Sequence, residues 1–186
     1  MRTVTESWAA IDRWIAQHAP AGAQVQRPPA TEEALAAAEH TLGLGLPPQL
    51  RESLLCHDGQ EHGSLIFPDL RMLPLAEIIA TRDEMTEVAD DEVGRDGDDD
   101  WWWHAGWLPV ARLDGDLEVV DCRPGPGHGR IGHRSRDDVA QFGPGWGYPS
   151  LAALLDRVAT ALTTGTPWDD LMAGVDGNGV LFWDTF

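Results

Sequence analysis

The densest run of side chains able to do chemistry is Cys56-His57-Asp58-Gly59-Gln60-Glu61-His62. Two imidazoles, a thiol and carboxylates this close could bind zinc or activate a water. The spacing argues against it. Two metal-binding histidines on one helix face sit four positions apart, whereas His57 and His62 have four residues between them. The helix expected before this run also ends near Asp58-Gly59, so the two rings need not face each other. The segment therefore reads first as an exposed polar turn, and only second as the centre of a metal-dependent hydrolase.

A second cluster is acidic. Asp96, Asp98, Asp99 and Asp100 offer oxygen ligands of the kind calcium takes, but without the spacing or closing glutamate of a helix–loop–helix calcium site. A solvated acidic loop is the simpler reading. It runs into Trp101, Trp102 and Trp103, with Trp107 close behind. Successive residues of a strand point to opposite faces, so three tryptophans in a row cannot all face inward. Tryptophan is enriched among residues that dominate interfaces. Beside an aspartate run it can grip a basic, partly apolar surface by charge and cation–π contacts. Asp98, Asp99, Asp100, Trp101, Trp102 and Trp103 are thus the candidate partner-binding residues. The competing reading is core packing, with a tail contact to Phe182, Trp183 or Phe186. The glycine-rich stretch Pro124–Gly129 lacks a lysine and precedes a strand, so it reads as a hairpin loop and not a phosphate cradle. His104, His128 and His133 are too scattered to define a ligand set, and Ser135 and Ser150 have no evident base.

The balance of charge narrows the field. Thirteen cationic residues, all arginine, stand against 31 acidic ones, for a formal charge of −18 over 186 residues. Such a chain is repelled by nucleic acid and anionic lipid, whose binding depends on neutralising phosphates. A basic protein partner is favoured, because opposite fields speed encounter and reject wrong partners. With no lysine, Walker-type phosphate binding and Schiff-base chemistry are excluded. No cofactor is expected. Two cysteines, Cys56 and Cys122, give no disulfide framework. Together with an N-terminus unlike a secretory signal and no long apolar run, they lead us to expect a cytoplasmic protein that does not enter membranes.

These residues need elements to position them. Trp8, Ile11, Trp14, Ile15 and His18 recur at helical spacing and predict a helix over Ser7–His18. Thr31 caps a second helix that Gly43 ends, and Pro47-Pro48 opens a third that stops at Asp58-Gly59. Short extended stretches at Ser64–Phe67 and Arg71–Leu73 lead into a helix over Leu75–Glu87, followed by an acidic loop over Ala89–Asp100. Trp107–Leu113 and Asp116–Asp121 flank Asp114-Gly115, a strong hairpin signal. Arg130–Arg134 and Asp138–Phe142 add strands. Ser150 then starts a helix with Leu151, Leu154, Leu155, Val158 and Leu162 on one face, ending at Gly165. In the tail we expect a helical turn over Trp168–Met172 and an extended end at Val180–Trp183. Helices, a strand meander and a closing helix make an α+β fold: a mostly antiparallel sheet of about four to six strands between N-terminal and C-terminal helices. The expected organisation is one domain over residues 1–165 and an extension over 166–186 that packs on or near it.

This order of features resembles the SUKH superfamily, the Smi/Knr-like domains. The resemblance rests on PPATEEALAAAEHTLGLGLPPQLRESLLCHDG, with Glu39, Leu42-Gly43, Leu46-Pro47, Leu50 and Leu54 at its landmarks and Asp58-Gly59 where relatives often carry Asn-Gly. It continues through LPLAEI (Leu73–Ile78), the hairpin WLPVARLDGDLEVVD (Trp107–Asp121) and the closing helix PSLAALLDRV, so that it spans Trp8 to Thr164. The extra residues between Leu42 and Leu46, the acidic insertion 89–100 and the tail depart from the pattern. The resemblance implies a Smi/Knr-like fold and a role through protein contact. Bacterial members are chiefly immunity proteins that neutralise toxins, and fungal members are cell-wall assembly regulators. Its landmarks are structural, so it carries over no catalytic residue. The expectation is a non-enzymatic module that binds a basic toxin domain, with a regulatory scaffold as the alternative.

Overall fold

The computed structural model describes residues 1–62, 66–68, 70–96, 102–136 and 138–185, and for 22–24 and 90–96 it describes the backbone alone. Helix α1 (Val4–His18) begins at a reciprocal cap in which the Thr3 side chain accepts from the Glu6 N–H and Glu6 accepts from the Thr3 N–H. Its buried face carries Trp8, Ile11 and Ile15. A short 3-10 turn (Pro20–Val25) leads to α2 (Glu32–Leu42), capped by Thr31 and ended by Gly43 at φ 67°, and to α3 (Pro48–Cys56). The buried Trp8 indole donates to Ser53 Oγ at 2.9 Å and ties α1 to α3.

Strand β1 (Arg71–Met72) opens into α4 (Leu75–Asp96). The acidic stretch expected as a loop from Ala89 is therefore helical as far as Asp96. Met85 and Ala89 pack against the small core of Trp103 and Trp107, so tertiary contact supports the helix through Ala89.

The hairpin lies where its sequence placed it, with β2 (Trp107–Leu113) and β3 (Asp116–Asp121) joined by Asp114 and Gly115 at φ 47° and 115°. Two positive φ values in a two-residue turn match the right-handed twist of the flanking strands. Strands β4 (Ile131–Arg134), β5 (Gln141–Phe142) and β6 (Gly147–Tyr148) complete a sheet ordered β1-β2-β3-β4, with β5 and β6 sharing the outer edge of β4. All pairings are antiparallel. Of the strand expected over Asp138–Phe142, two residues pair.

Helix α5 (Leu151–Thr164) runs from its Ser150 cap to Gly165 and packs along α1. The tail differs from expectation at Trp168–Met172. Trp168 and Leu171 exchange backbone hydrogen bonds around a tight turn with Asp169 at φ 53°, and the chain continues as a hairpin of β7 (Leu171–Val175) and β8 (Leu181–Thr185). Cross-strand pairing supplies five residue pairs to β7, more than one isolated helical turn can offer.

The sheet buries apolar side chains on both faces. Leu108, Val110, Val120 and Ile131 meet the helices in the main core, which Trp168 and Leu181 of the tail also join. On the other face Leu117, Val119 and Trp107 form a smaller core with Trp103 and Ala140. Among the described residues no helix is long and apolar enough to cross a membrane.

Candidate functional site

The residues singled out in the sequence scatter. His57 ends α3 with Nε2 at 3.1 Å from both Asp12 carboxylate oxygens and Nδ1 at 3.3 Å from the Arg27 carbonyl, and its ring meets Trp8 edge-on. It is thus a half-buried link between α1 and α3, while His62 is exposed. Burial raises the Cys56 thiol above its ordinary range, which keeps it protonated and unreactive. Among the described residues no three histidine, cysteine or acidic side chains converge as metal ligands. Asp98, Asp99, Asp100, Trp101 and Phe186 lie outside the described residues. Trp102 is half-buried with the Arg134 guanidinium 4.3 Å from its ring centroid. Trp103 is 3% exposed, stands edge-on to Trp107 and donates to Thr86 Oγ1 at 3.3 Å. It is itself part of the small core on the sheet. Phe182 is 39% exposed on β8, and Trp183 packs against the main core.

A different group comes together on the helix-facing side of the sheet. Glu118 of β3 and His133 of β4 are cross-strand partners, with Glu118 Oε1 at 2.9 Å from His133 Nδ1. In DLEVVD, alternation sends Leu117 and Val119 to the small core and Glu118 and Val120 to the other face. Glu118 therefore sits at the margin of the main core, 6% exposed, and its second oxygen, Oε2, is buried with no hydrogen-bond partner among the described residues. Burial pushes the Glu118 carboxyl up, and the bond from Glu118 pushes the His133 imidazole up, so the pair holds a shared proton at a higher pH than a free histidine would.

His133 Nε2 also lies 3.4 Å from Ser135 Oγ. This corrects the reading of Ser135 as lacking a neighbouring base: β4 ends at Arg134, and Ser135, the residue just past it, keeps its hydroxyl beside His133. The separation is at the outer limit of a hydrogen bond. Hydroxyl, imidazole and carboxylate thus follow one another through the two nitrogens of His133.

Around the pair opens a cleft. One part, about 390 Å³, is bounded by Glu118, His133, Trp146, Tyr148, Arg157 and Asp169. The adjoining part, about 380 Å³, shares Glu118, His133, Tyr148 and Asp169 and extends past Leu70, Leu113, Asp116 and Asp170. Trp146, at 52% exposed, stands on the rim. Its loop is drawn tight against β4: a Cβ on Gly147 would come within 2.2 Å of the Ile131 carbonyl oxygen, so only glycine fits there. From α5, Arg157 donates to Asp169 Oδ1 at 2.6 Å and to the Tyr148 hydroxyl at 3.0 Å, with its guanidinium 4.3 Å from the Trp168 ring centroid. Four acids (Asp116, Glu118, Asp169, Asp170) thus share the cleft with Arg157 and His133. One signal for this site was present in the sequence, a glutamate between apolar residues in the middle of a strand. Its partner lies fifteen positions away and is joined to it only by register.

Fold and site together define an α+β domain with an anionic, aromatic-walled cleft on the helix-bearing side of its sheet. Residues 29–148 match the model of the SMI1 / KNR4 family (SUKH-1), and the chain belongs to that family. None of the curated proteins compared with the chain matches it. The matched span contributes Glu118, His133, Trp146 and Tyr148 to the cleft, whereas Arg157, Trp168, Asp169 and Asp170 follow it.

Proposed function

We propose that this chain is a non-enzymatic binding module that neutralises a toxin domain by holding it one to one in the cytoplasm. The observation that carries the reading is the anionic cleft, which offers carboxylates and aromatic faces on a chain of net charge −18. Such a surface is complementary to a basic protein and repels nucleic acid. Membership of the SMI1 / KNR4 family supports a role through protein contact. The acidic run Asp98–Asp100 and Trp101, next in sequence to the half-buried Trp102, adds a second candidate region of attraction. The test is growth rescue. Cells expressing a toxin domain encoded beside this chain are expected to grow only when the chain is co-expressed, with rescue rising to a plateau at equal amounts. Growth arrest with every such toxin would overturn the reading and favour a regulatory scaffold of the cell-wall assembly type.

A further inference from the structure

We infer that the cleft between the sheet and the C-terminal hairpin is a receptor for one arginine side chain of the protein partner. This rests on the protein-binding reading above and names the chemistry by which the partner is recognised. Three observations converge. The first is Glu118, a residue that borders both parts of the cleft with its side chain 8% exposed, and whose buried Oε2 has no hydrogen-bond partner among the described residues. A buried, unsatisfied carboxylate oxygen is costly, and a charged donor from outside would relieve it. The second is Trp146, whose half-exposed ring stands at the rim on a loop braced by Gly147.

The third is the cleft's own Arg157. Its guanidinium is already held between Asp169, the Tyr148 hydroxyl and the Trp168 face, so one wall of this cleft demonstrably fits that group. Glu118 and Trp146 border the same part of the cleft as Arg157 and repeat those elements, a carboxylate and an indole, while no second guanidinium is among the residues that border either part. A planar fork that donates to a carboxylate while stacking on an aromatic ring is the property of arginine and not of lysine. The surplus of acids around the cleft leaves room for a second positive charge.

The test uses the full chain labelled with ¹⁵N and three small probes: Nα-acetyl-arginine amide, Nα-acetyl-lysine amide and Nα-acetyl-citrulline amide, the last an uncharged isostere of the first. The Trp146 indole N–H, assigned by its loss in Trp146→Phe, and the ring protons of His133 report on the cleft. Arginine amide is expected to shift both to saturation, lysine amide more weakly and citrulline amide hardly at all. Glu118→Gln should weaken arginine amide by about tenfold or more, as expected for loss of a charge-assisted hydrogen bond. Trp146→Ala changes an exposed side chain, so it remains usable should Glu118→Gln misfold, and it should weaken binding as read on His133. Equal shifts by citrulline amide, tighter binding of lysine amide, or no saturable shift with arginine amide would overturn the inference. If arginine amide leaves the cleft unmoved while the chain still rescues cells from a toxin, this inference falls and the protein-binding reading stands. Saturable guanidinium binding without rescue would leave this inference standing and overturn toxin neutralisation in favour of the regulatory scaffold.

Discussion

Glu118 occupies a strand position whose neighbours Leu117, Val119 and Val120 are all buried apolar residues, and it keeps its place there through His133. That pairing has a consequence for stability. The folded His133 value lies above the ordinary imidazole value of about 6.5, because Glu118 hydrogen-bonds the ring. A raised folded value means that the folded state binds the proton more tightly than the unfolded one. The stabilisation is therefore complete below the unfolded value and lost as pH rises through the folded one. Glu118, raised by burial, works in the same direction from the carboxylate range upward. Urea midpoints measured from about pH 6 to about pH 8.5 should fall for the wild type, and His133→Gln should flatten that slope. Parallel curves would show that the pair is not linked to folding. None of this was legible from the motifs. The histidines that stand out in the sequence, His57 and His62, belong to a structural link and an exposed turn. The pair that matters becomes visible only once the register of β3 against β4 is known.

At the scale of elements the sequence is more transparent, for reasons that can be named. Helices bounded by Thr31 and Gly43, or by Ser150 and Gly165, lie where their caps put them, since those residues satisfy backbone groups locally. The Asp114-Gly115 hairpin is legible for the same reason: the turn's φ values are a property of two residues. Structure and sequence part where distant contacts decide, at Ala89 of α4, which packs against the small core, and in the β7–β8 hairpin. The Asp58-Gly59 turn combines both kinds of control. Asp58 Oδ1 accepts from the Leu75 N–H at 2.7 Å and so caps the start of α4, while Gly59 at φ 69° lies under Pro74. A Cβ on Gly59 would come within 2.3 Å of the Pro74 nitrogen, a backbone atom that cannot swing aside. Gly59→Ala should therefore destabilise the fold by more than about 1 kcal/mol in chemical denaturation, and Asp58→Ala by about 0.5–2 kcal/mol through loss of the cap. An unchanged denaturation midpoint in Gly59→Ala would mean that the turn is not seated against Pro74 as described.

In the proposed complex the whole molecule acts through its field. A net charge of −18 attracts a basic partner from a distance that salt controls, about 30 Å at 0.01 M and about 8 Å at 0.15 M ionic strength. Replacing Asp98, Asp99 and Asp100 together by asparagine should slow association with the partner, most at low salt, and leave dissociation nearly unchanged. Association rates identical to the wild type across salt concentrations would remove that segment from the encounter. In that complex the cleft would work at closer range: losses there should appear as faster dissociation, because they remove a desolvated contact and not a distant charge. The most direct measurement is affinity capture from native cell lysate with wild-type and Trp146→Ala chains as parallel baits, with mass spectrometry of what each retains. One basic protein is expected at equal stoichiometry on the wild type and markedly depleted from the variant. The same proteins on both baits, or nothing on either, would overturn the role proposed for the cleft.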